Sequence, residues 1–279
     1  MTKNALLVLE ETSRTFYLPI QRLPKGLQEA VAAGYLCMRA IDEIEDHPKL
    51  EPAAKAKLLE GICQLLQAQT SIEDFDHARF TKLFAPYEDQ LPEVTLRLSE
   101  WSCYAPPFIA PRVWEATSAM AGRMREWVLN GFRVSTRADL DRYTYGVAGA
   151  VGLLLCDLWA WFEHLQIHRS LAIQFGRALQ SVNILRNRKE DLKRGVDFYP
   201  KNWTDQDMQD YARNNLRQFD EYMQQLAATT FADFVNIPRA LAYATLDALA
   251  EGREKLSRAE VLKVLEGLEG EKAGKPAPA

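Results

Sequence analysis

Apolar residues recur every three or four positions along most of the chain, a spacing that predicts amphipathic α-helices rather than β-strands. In segment 25–46, for example, Leu27, Val31, Met38 and Ile41 fall on one face of a helix. The predicted helices cover residues 4–11, 25–46, 51–69, 76–85, 91–103, 111–131, 137–165, 169–194, 204–228, 237–255 and 257–268. Because no segment alternates as a strand does, the chain is predicted to be all-α.

Capping residues, glycines and prolines predict where these helices begin and end. Thr204 and Ser257 each precede an acidic residue by three positions, the spacing of a capping box. Gly195 is expected to stop the helix before it. Pro19 is expected to interrupt the helical pattern, and Pro238 is expected to open a helix.

The composition permits a large hydrophobic core. The chain has 279 residues, of which 47% are hydrophobic, and it is predicted to fold as one all-α domain over residues 1–269. The Gly-, Lys- and Pro-rich residues 270–279 are predicted to form a disordered tail. A formal net charge of −4 argues against a nucleic-acid partner.

The cysteines and the length of the apolar runs predict a cytoplasmic location. Four cysteines lack the spacing of a zinc site, so they are expected to be reduced thiols. The N-terminal apolar run is too short for a signal peptide, and no eighteen consecutive residues are apolar. An apolar substrate would nevertheless draw the protein to a membrane surface as a peripheral protein. The oligomeric state cannot be predicted from these features.

One acidic stripe lies in the predicted helix 25–46. Tyr35, Arg39, Asp42 and Asp46 are spaced by three or four residues, which stacks them on one helix face. An acidic run on a helix is usually a solvated face. The tyrosine and arginine beside these carboxylates favour a binding site instead.

A second stripe lies in the predicted helix 169–194. It combines amides and charged groups, namely Gln180, Asn183, Asn187, Asp191 and Arg194, with Glu190 beside them. Local salt bridges between residues four positions apart are the simpler explanation of this charged segment. Small amides on the stripe favour a functional role.

If the two stripes face each other, their oxygens bound a site for Mg²⁺ and a polyanion. Mg²⁺ is held by one or two carboxylates while a substrate phosphate completes its octahedral shell. Arg39 and Arg186, each about one turn from an acidic cluster, are placed to bind diphosphate oxygens by forked hydrogen bonds. The chemistry that this arrangement favours is ionisation of an allylic diphosphate to a carbocation.

Three glycines interrupt the predicted helix 137–165, at positions 146, 149 and 152. Each costs about 1 kcal/mol relative to alanine inside a helix, so a reason for them is required. Close helix packing is one explanation. Room for a long apolar ligand is the other.

These motifs resemble the squalene/phytoene synthase family of head-to-head prenyltransferases over nearly the whole chain, and squalene synthase-like members most. The resembling segments are Ser13-Arg-Thr-Phe16, Tyr35 to Asp46, Tyr145 to Gly152, Gln180 to Asp191, Phe198-Tyr-Pro and Ile237 to Leu246. The resemblance implies the isoprenoid synthase fold of class I terpenoid synthases, a helical bundle around a central cavity.

The resemblance also implies roles for individual residues. The predicted catalytic residues are Asp42, Asp46, Asp191, Tyr145 and Arg39. The predicted substrate-binding residues are Ser13, Phe16, Tyr35, Arg39, Gln180, Asn183, Arg186 and Gly149. The predicted Mg²⁺ ligands are Asp42, Asp46, Asn187 and Asp191.

The function that the resemblance implies is Mg²⁺-dependent condensation of two farnesyl diphosphates, through a cyclopropyl diphosphate, to a C30 product. NADPH would be needed if that product is squalene. One residue departs from the family pattern: position 187 is Asn where the second motif normally begins with Asp, which weakens attraction for Mg²⁺. Two alternatives therefore stay open: ionisation of a single prenyl diphosphate, as in a terpene synthase or a farnesyl diphosphate phosphatase, and a non-catalytic family member.

Overall fold

The computed structural model describes residues 2–226 and 229–273, and this part of the chain contains helices and no strand. The prediction of an all-α chain is therefore confirmed for the residues described. The α-helices are Thr2–Thr12 (α1), Arg14–Gln21 (α2), Lys25–Glu45 (α3), Pro52–Gln67 (α4), His77–Phe84 (α5), Glu93–Leu96 (α6), Leu98–Ser102 (α7), Ala110–Leu129 (α8), Arg137–Thr144 (α9), Ala150–Glu163 (α10), Arg169–Lys193 (α11), Asp205–Met223 (α12), Thr230–Ala250 (α13) and Arg258–Ala273 (α14). Short 3₁₀ turns cover Ala85–Tyr87 and Gln224–Leu226, and Tyr145–Gly149 is π-helical.

The helices form two compact units. The first contains the residues as far as Arg133 together with Ala150–His168, and the second contains Val134–Gly149 and the residues from Arg169 onward. The single domain predicted over residues 1–269 stays a prediction.

In the first unit, α3 is the central helix and packs against α6, α7, α8 and α10. Its apolar face is buried, and Leu36, Ile41 and Ile44 are wholly excluded from solvent. One buried hydroxyl bonds to the backbone of this helix: Thr95 Oγ1 donates to the Ala40 carbonyl at 2.9 Å. This hydrogen bond fixes the backbone of α3 two residues before Asp42.

In the second unit, α11 packs against α12 and α13. Phe175 of α11 stacks on Phe219 of α12 with ring centroids 4.4 Å apart. Phe231 of α13 approaches the same ring edge-on at 6.5 Å. Such aromatic pairs add to the burial of apolar area and join the three helices.

The structure confirms the helix starts predicted from capping residues but not the roles predicted for two prolines. The capping box of Thr204 is confirmed, and Ser257 caps α14 with Glu260, whose carboxylate accepts from the Ser257 N–H at 2.8 Å. The role predicted for Pro19 is wrong, because it lies inside α2, which Ser13 caps. Pro238 does not open a helix either. It lies inside α13, which begins after the cap at Thr229.

Three other boundaries differ from the predictions. Segment 91–103 contains two short helices, because the backbone of Arg97 leaves the helical region with φ −96° and ψ 16°. The α-helix predicted over 204–228 ends at Met223, and residues 227–228 lie outside the described part. The disordered tail predicted over 270–279 stays a prediction, although α14 continues to Ala273. The rest of it, 274–279, lies outside the described residues.

The cysteines and the apolar helix bear on the predicted location. The four cysteines are free thiols, as expected. Residues Arg137–Glu163 are helical throughout and, by length and composition, could cross a membrane, which the count of consecutive apolar residues did not anticipate. Buried core helices pass the same test, so this finding is weak support for membrane association.

The π-helical turn Tyr145–Gly149 has a packing cause. A Cβ on Gly176 of α11 would lie 2.5 Å from the carbonyl oxygen of Ala148, so the two backbones are in direct contact. A Cβ on Gly149 would lie 3.2 Å from the Ile173 side chain. A π turn widens the helix by one residue, and such turns are frequent at functional sites. It replaces the uninterrupted α-helix predicted over 137–165.

We expect Gly176→Ala to destabilise the protein by about 2 kcal/mol or more, because the new methyl group meets backbone atoms that cannot move aside. The measurement is the urea midpoint followed by circular dichroism. Gly267→Ala is the matched control, since nothing lies within 4 Å of its added Cβ and alanine is favoured in a helix. Equal midpoints for the Gly176→Ala variant and the unmodified protein would contradict the close backbone contact.

Candidate active site

The first acidic stripe lies at the C-terminal end of α3. Arg39 Nη1 donates to Asp42 Oδ2 at 2.7 Å, and its Nη2 forms an ion pair with Glu43. The Arg39 and Asp42 side chains are 34% and 33% exposed, so they border solvent. Asp46, one turn beyond Asp42, is exposed and ends the helix through an N–H bond to the Asp42 carbonyl. The predicted stripe is therefore present, with Glu43 as a further partner of Arg39 that spacing did not single out.

The electrostatics of this stripe favour a bound cation. Burial, and then the negative charge of Asp46, raise the pKa of Asp42 to about 7, although Arg39 acts in the opposite direction. Two carboxylates one turn apart therefore resist being charged together. A divalent cation would remove this repulsion, and a pair of carboxylates is the protein contribution that Mg²⁺ commonly receives. The residues present thus fit Mg²⁺.

Arg39 keeps capacity for an anion as well. Its Nε is buried and has no hydrogen-bond partner among the described residues. An unsatisfied buried donor costs free energy, which an oxygen of a bound anion would recover.

Three more predicted residues lie beside this stripe. Ser13 accepts a hydrogen bond from the Phe16 N–H at 3.0 Å as the cap of α2. The Tyr35 hydroxyl donates to the Thr12 carbonyl at 3.3 Å, and its ring centroid is 5.9 Å from that of Phe16. Burial raises the pKa of Tyr35, while interactions with Ser13 and Arg39 lower it. The first unit therefore brings Ser13, Phe16, Tyr35 and Arg39 together.

The second stripe lies in the C-terminal half of α11. Asn187 Oδ1 accepts from Arg186 Nε at 3.2 Å, while Gln180 is half-buried and Asn183 is exposed. Asp191 is only 6% exposed, and its Oδ1 accepts from Arg194 Nη2 at 2.5 Å. The carboxylate of Asp191 is therefore already neutralised by an ion pair, which lowers its availability to a cation.

No group of three His, Cys, Asp or Glu side chains within 2–226 and 229–273 is arranged to hold a metal ion. Each predicted motif supplies two ligand residues within its own unit. Whether both motifs bind the same cations stays a prediction.

The charged side chains around α11 make tertiary contacts rather than the local pairs expected from spacing. Arg188 donates to Asp205 at 2.7 Å and to Asp197 at 3.3 Å, and it lies 3.6 Å from the ring centroid of Tyr199. Lys189 forms an ion pair with Glu254. The Arg194–Asp191 pair is local, with a spacing of three residues. These contacts hold the segment after α11 against α12.

Tyr145 and Gly149 occupy the two ends of the π turn. Tyr145 is half-buried, and Gly149 is buried against Ile173. This contact favours close packing as the reason for Gly149, one of the two explanations that the sequence left open. Gly176, the other glycine of the contact, was not predicted, because no motif or periodicity distinguishes it from other helical glycines.

A polar contact near this turn was also missed. The Tyr211 hydroxyl donates to Asp141 Oδ1 at 2.6 Å, and Arg177 Nη2 donates to the Asp141 carbonyl at 3.3 Å. Asp141 lies one turn before Tyr145, so these bonds fix the helical turn from which the π segment continues. Residues 70 positions apart give no signal in a single sequence.

Comparison with known proteins places this arrangement in a family. The squalene/phytoene synthase family model matches residues 9–207, so the chain belongs to the squalene/phytoene synthase family. The chain is 28% identical to the squalene synthase of Schizosaccharomyces pombe, over 87% of this chain and 58% of that protein. It is 28% identical to the squalene synthase of Eremothecium gossypii, over 93% of this chain and 64% of that protein. The chain thus spans less than two-thirds of the length of these relatives.

Solved structures confirm the fold. Two ligand complexes of TcSQS superpose with TM-scores of 0.71 and 0.72 over 95% of this chain, and over 85% and 84% of those chains. Sequence identities are 21% and 20%. The prediction of an all-α isoprenoid synthase fold is confirmed.

The raised pKa of Asp42 predicts how the stability of the folded protein changes with pH. An acid whose pKa is higher in the folded protein than in the unfolded chain destabilises the fold as pH rises between the two values. In EDTA at pH 8, we therefore expect Asp42→Asn to raise the thermal midpoint, with the difference shrinking towards pH 4. Adding Mg²⁺ at pH 8 should stabilise the unmodified protein more than the variant.

The measurement is differential scanning fluorimetry, and Asp89→Asn, at an exposed position, is the matched control. A lower midpoint for Asp42→Asn in EDTA at pH 8 would contradict the repulsion between Asp42 and Asp46.

Proposed function

We propose that the protein is a Mg²⁺-dependent prenyltransferase that condenses two farnesyl diphosphates head to head, through a cyclopropyl diphosphate, to a C30 product. Family membership and relatives named squalene synthase support this proposal. The observation that carries it furthest is the set Arg39, Asp42 and Asp46, in which two mutually repelling carboxylates lie beside a guanidinium with a free donor.

In this proposal Asp42 and Asp46 hold Mg²⁺, with Asp191 and Asn187 as the second pair. Bound Mg²⁺ would neutralise the diphosphate and make it a better leaving group. Asn187 can offer only a neutral carbonyl oxygen, and Asp191 is paired with Arg194. The first motif therefore supplies most of the negative charge that attracts the cation.

The remaining residues bind and orient the substrate. Arg39 and Arg186 donate to diphosphate oxygens, and Ser13 at the N-terminus of α2 supports the same group. Phe16 and Tyr35 provide aromatic surface beside it, and Gln180 and Asn183 add amide groups. Tyr145, at the start of the π turn, is the residue we assign to proton transfer next to the carbocation.

The substrate chemistry extends the proposal to a location. Only the diphosphate group of a prenyl diphosphate is hydrophilic, and a C30 hydrocarbon is almost insoluble in water. We expect a cytoplasmic enzyme that releases its product at a membrane surface as a peripheral protein. NADPH is expected to be required only if the product is squalene.

Product analysis by mass spectrometry after incubation with farnesyl diphosphate and Mg²⁺, with and without NADPH, tests this function. We expect a C30 product, and a loss of about 100-fold or more in turnover for Asp42→Asn, because a charged ligand is removed. Asp89→Asn is the matched control. Farnesol or a C15 terpene would replace the proposal with ionisation of a single substrate, and no pyrophosphate release from any prenyl diphosphate would indicate a non-catalytic family member.

A second candidate, ionisation of one prenyl diphosphate, is favoured by one observation. The second motif has Asn187 in place of Asp, and its remaining carboxylate, Asp191, is buried in an ion pair. A weaker second cation site is compatible with breaking one carbon–oxygen bond and trapping the carbocation with water or an internal alkene.

The variant Asn187→Asp distinguishes an attenuated synthase, which is a head-to-head synthase of reduced activity, from an enzyme that catalyses a different reaction. For an attenuated synthase, the added charge should lower the Mg²⁺ concentration at half-maximal rate about tenfold, equivalent to about 1.4 kcal/mol, and raise turnover. Rates are measured as pyrophosphate release during a Mg²⁺ titration, with Asn202→Asp as an exposed control. Lower turnover or a changed product would show that Asn187 suits another reaction.

A further inference from the structure

A groove of about 690 Å³ lies in the second unit, along α12 and facing Tyr243 of α13. Its lining combines arginine, aspartate and aromatic side chains. None of these residues belongs to the motifs assigned to the prenyl diphosphate, so the groove calls for a separate explanation.

Three arginines line the groove, and they differ in their partners. Arg217 donates to the amide oxygen of Asn214 at 2.7 Å, and Arg137 lies 5.7 Å from the ring centroid of Tyr211. Among the described residues, neither guanidinium pairs with a carboxylate. Arg213 does pair with a carboxylate, at 2.7 Å, but that acid lies outside the groove lining. The lining therefore contains two arginines without a carboxylate partner among the described residues and a third that is ion-paired, together with two aspartates.

Acidic groups line the other end of the groove. Asp207 accepts from the Thr204 N–H at 2.7 Å as part of the capping box. Asp210 accepts from Gln206 at 2.8 Å, one turn further along α12. Asp210 and Arg217 are separated by seven residues, about 10 Å along the helix. The groove is therefore acidic at the start of α12 and basic two turns later.

Aromatic rings form the walls between these ends. The ring of Trp203 lies 5.8 Å from that of Tyr211 at an angle of 58°, so the two rings pack against each other and Trp203, which is partly exposed, presents aromatic surface to the groove. The Tyr243 hydroxyl donates to Asp220 at 2.5 Å, so its ring is held in place. Flat apolar surfaces beside arginines are the combination that binds a base and its phosphates.

We propose that this groove binds a nucleoside diphosphate. The base packs against Trp203, and its amino group or the ribose hydroxyls donate to Asp207 and Asp210. The diphosphate accepts hydrogen bonds from Arg213 and Arg217. The inference goes beyond the proposed function and does not depend on it, because the two sites share no residue.

The test is binding of ADP to the full chain by isothermal titration calorimetry in EDTA, with adenosine and inorganic diphosphate as comparison probes. We expect ADP to bind more tightly than either probe. Arg217→Ala and Trp203→Leu should each weaken ADP binding about tenfold or more. The first variant removes a hydrogen-bond donor to the diphosphate, and the second removes the aromatic ring on which the base packs. Arg142→Ala, at an exposed arginine of α9 outside the groove, should leave it unchanged.

Two outcomes would overturn the proposal: no heat of binding with millimolar ADP, or equal affinity for ADP and inorganic diphosphate. Weaker ADP binding in Asp42→Asn would also overturn it, since ADP would then occupy the proposed prenyl diphosphate site. Circular dichroism of each variant excludes unfolding as the cause of lost binding. Turnover of farnesyl diphosphate by Arg217→Ala should be unaffected, so failure of this proposal is distinguishable from failure of the proposed function.

Discussion

The position of Asp42 and Asp46, one turn apart at the end of a helix with a buried face, is the constraint on which the candidate active site depends. α3 is buried on its apolar face, so its last turn cannot rotate to separate the two carboxylates. Arg39 compensates part of the charge but also pairs with Glu43. Burial, and then the charge of Asp46, raises the pKa of Asp42. Groups that destabilise the free protein and are held by a rigid element are characteristic of binding sites.

The second unit achieves rigidity by close backbone contact and by ion pairs far apart in sequence. Gly176 allows α11 to touch the π turn, and Asp141 joins that region to Tyr211 of α12. Arg188 holds the segment after α11 through Asp197 and Asp205. The second motif thus belongs to a helix whose position is determined by many partners.

Local signals in the sequence predicted local structure well. The capping box of Thr204 and the stop at Gly195, which has φ +78°, are decided by residues within one turn, and both are observed. Spacing of three and four residues likewise predicted that Arg39 and Asp42 share one face of α3, and the two side chains are hydrogen-bonded there. Family resemblance added the isoprenoid synthase fold, which periodicity alone does not distinguish from other helical bundles.

Features set by tertiary contacts could not be predicted in the same way. Pro238 is a helix breaker by local rules, yet it lies inside α13, because the cap at Thr229 starts the helix earlier and packing buries the proline. The π turn depends on Gly176, about thirty residues away, and no local pattern marks that glycine. The stripe at Asp191 was predicted from spacing, but its burial and its pairing with Arg194 depend on the folded environment.

The most direct measurement is calorimetric binding of farnesyl thiodiphosphate, a slowly ionising analogue, with and without Mg²⁺, to the unmodified protein and to Asp46→Asn. We expect tight binding that requires Mg²⁺ and is lost in the variant, because the cation would join the carboxylates to the diphosphate. Equal affinity in EDTA and in Mg²⁺, or full Mg²⁺ dependence in Asp46→Asn, would contradict it.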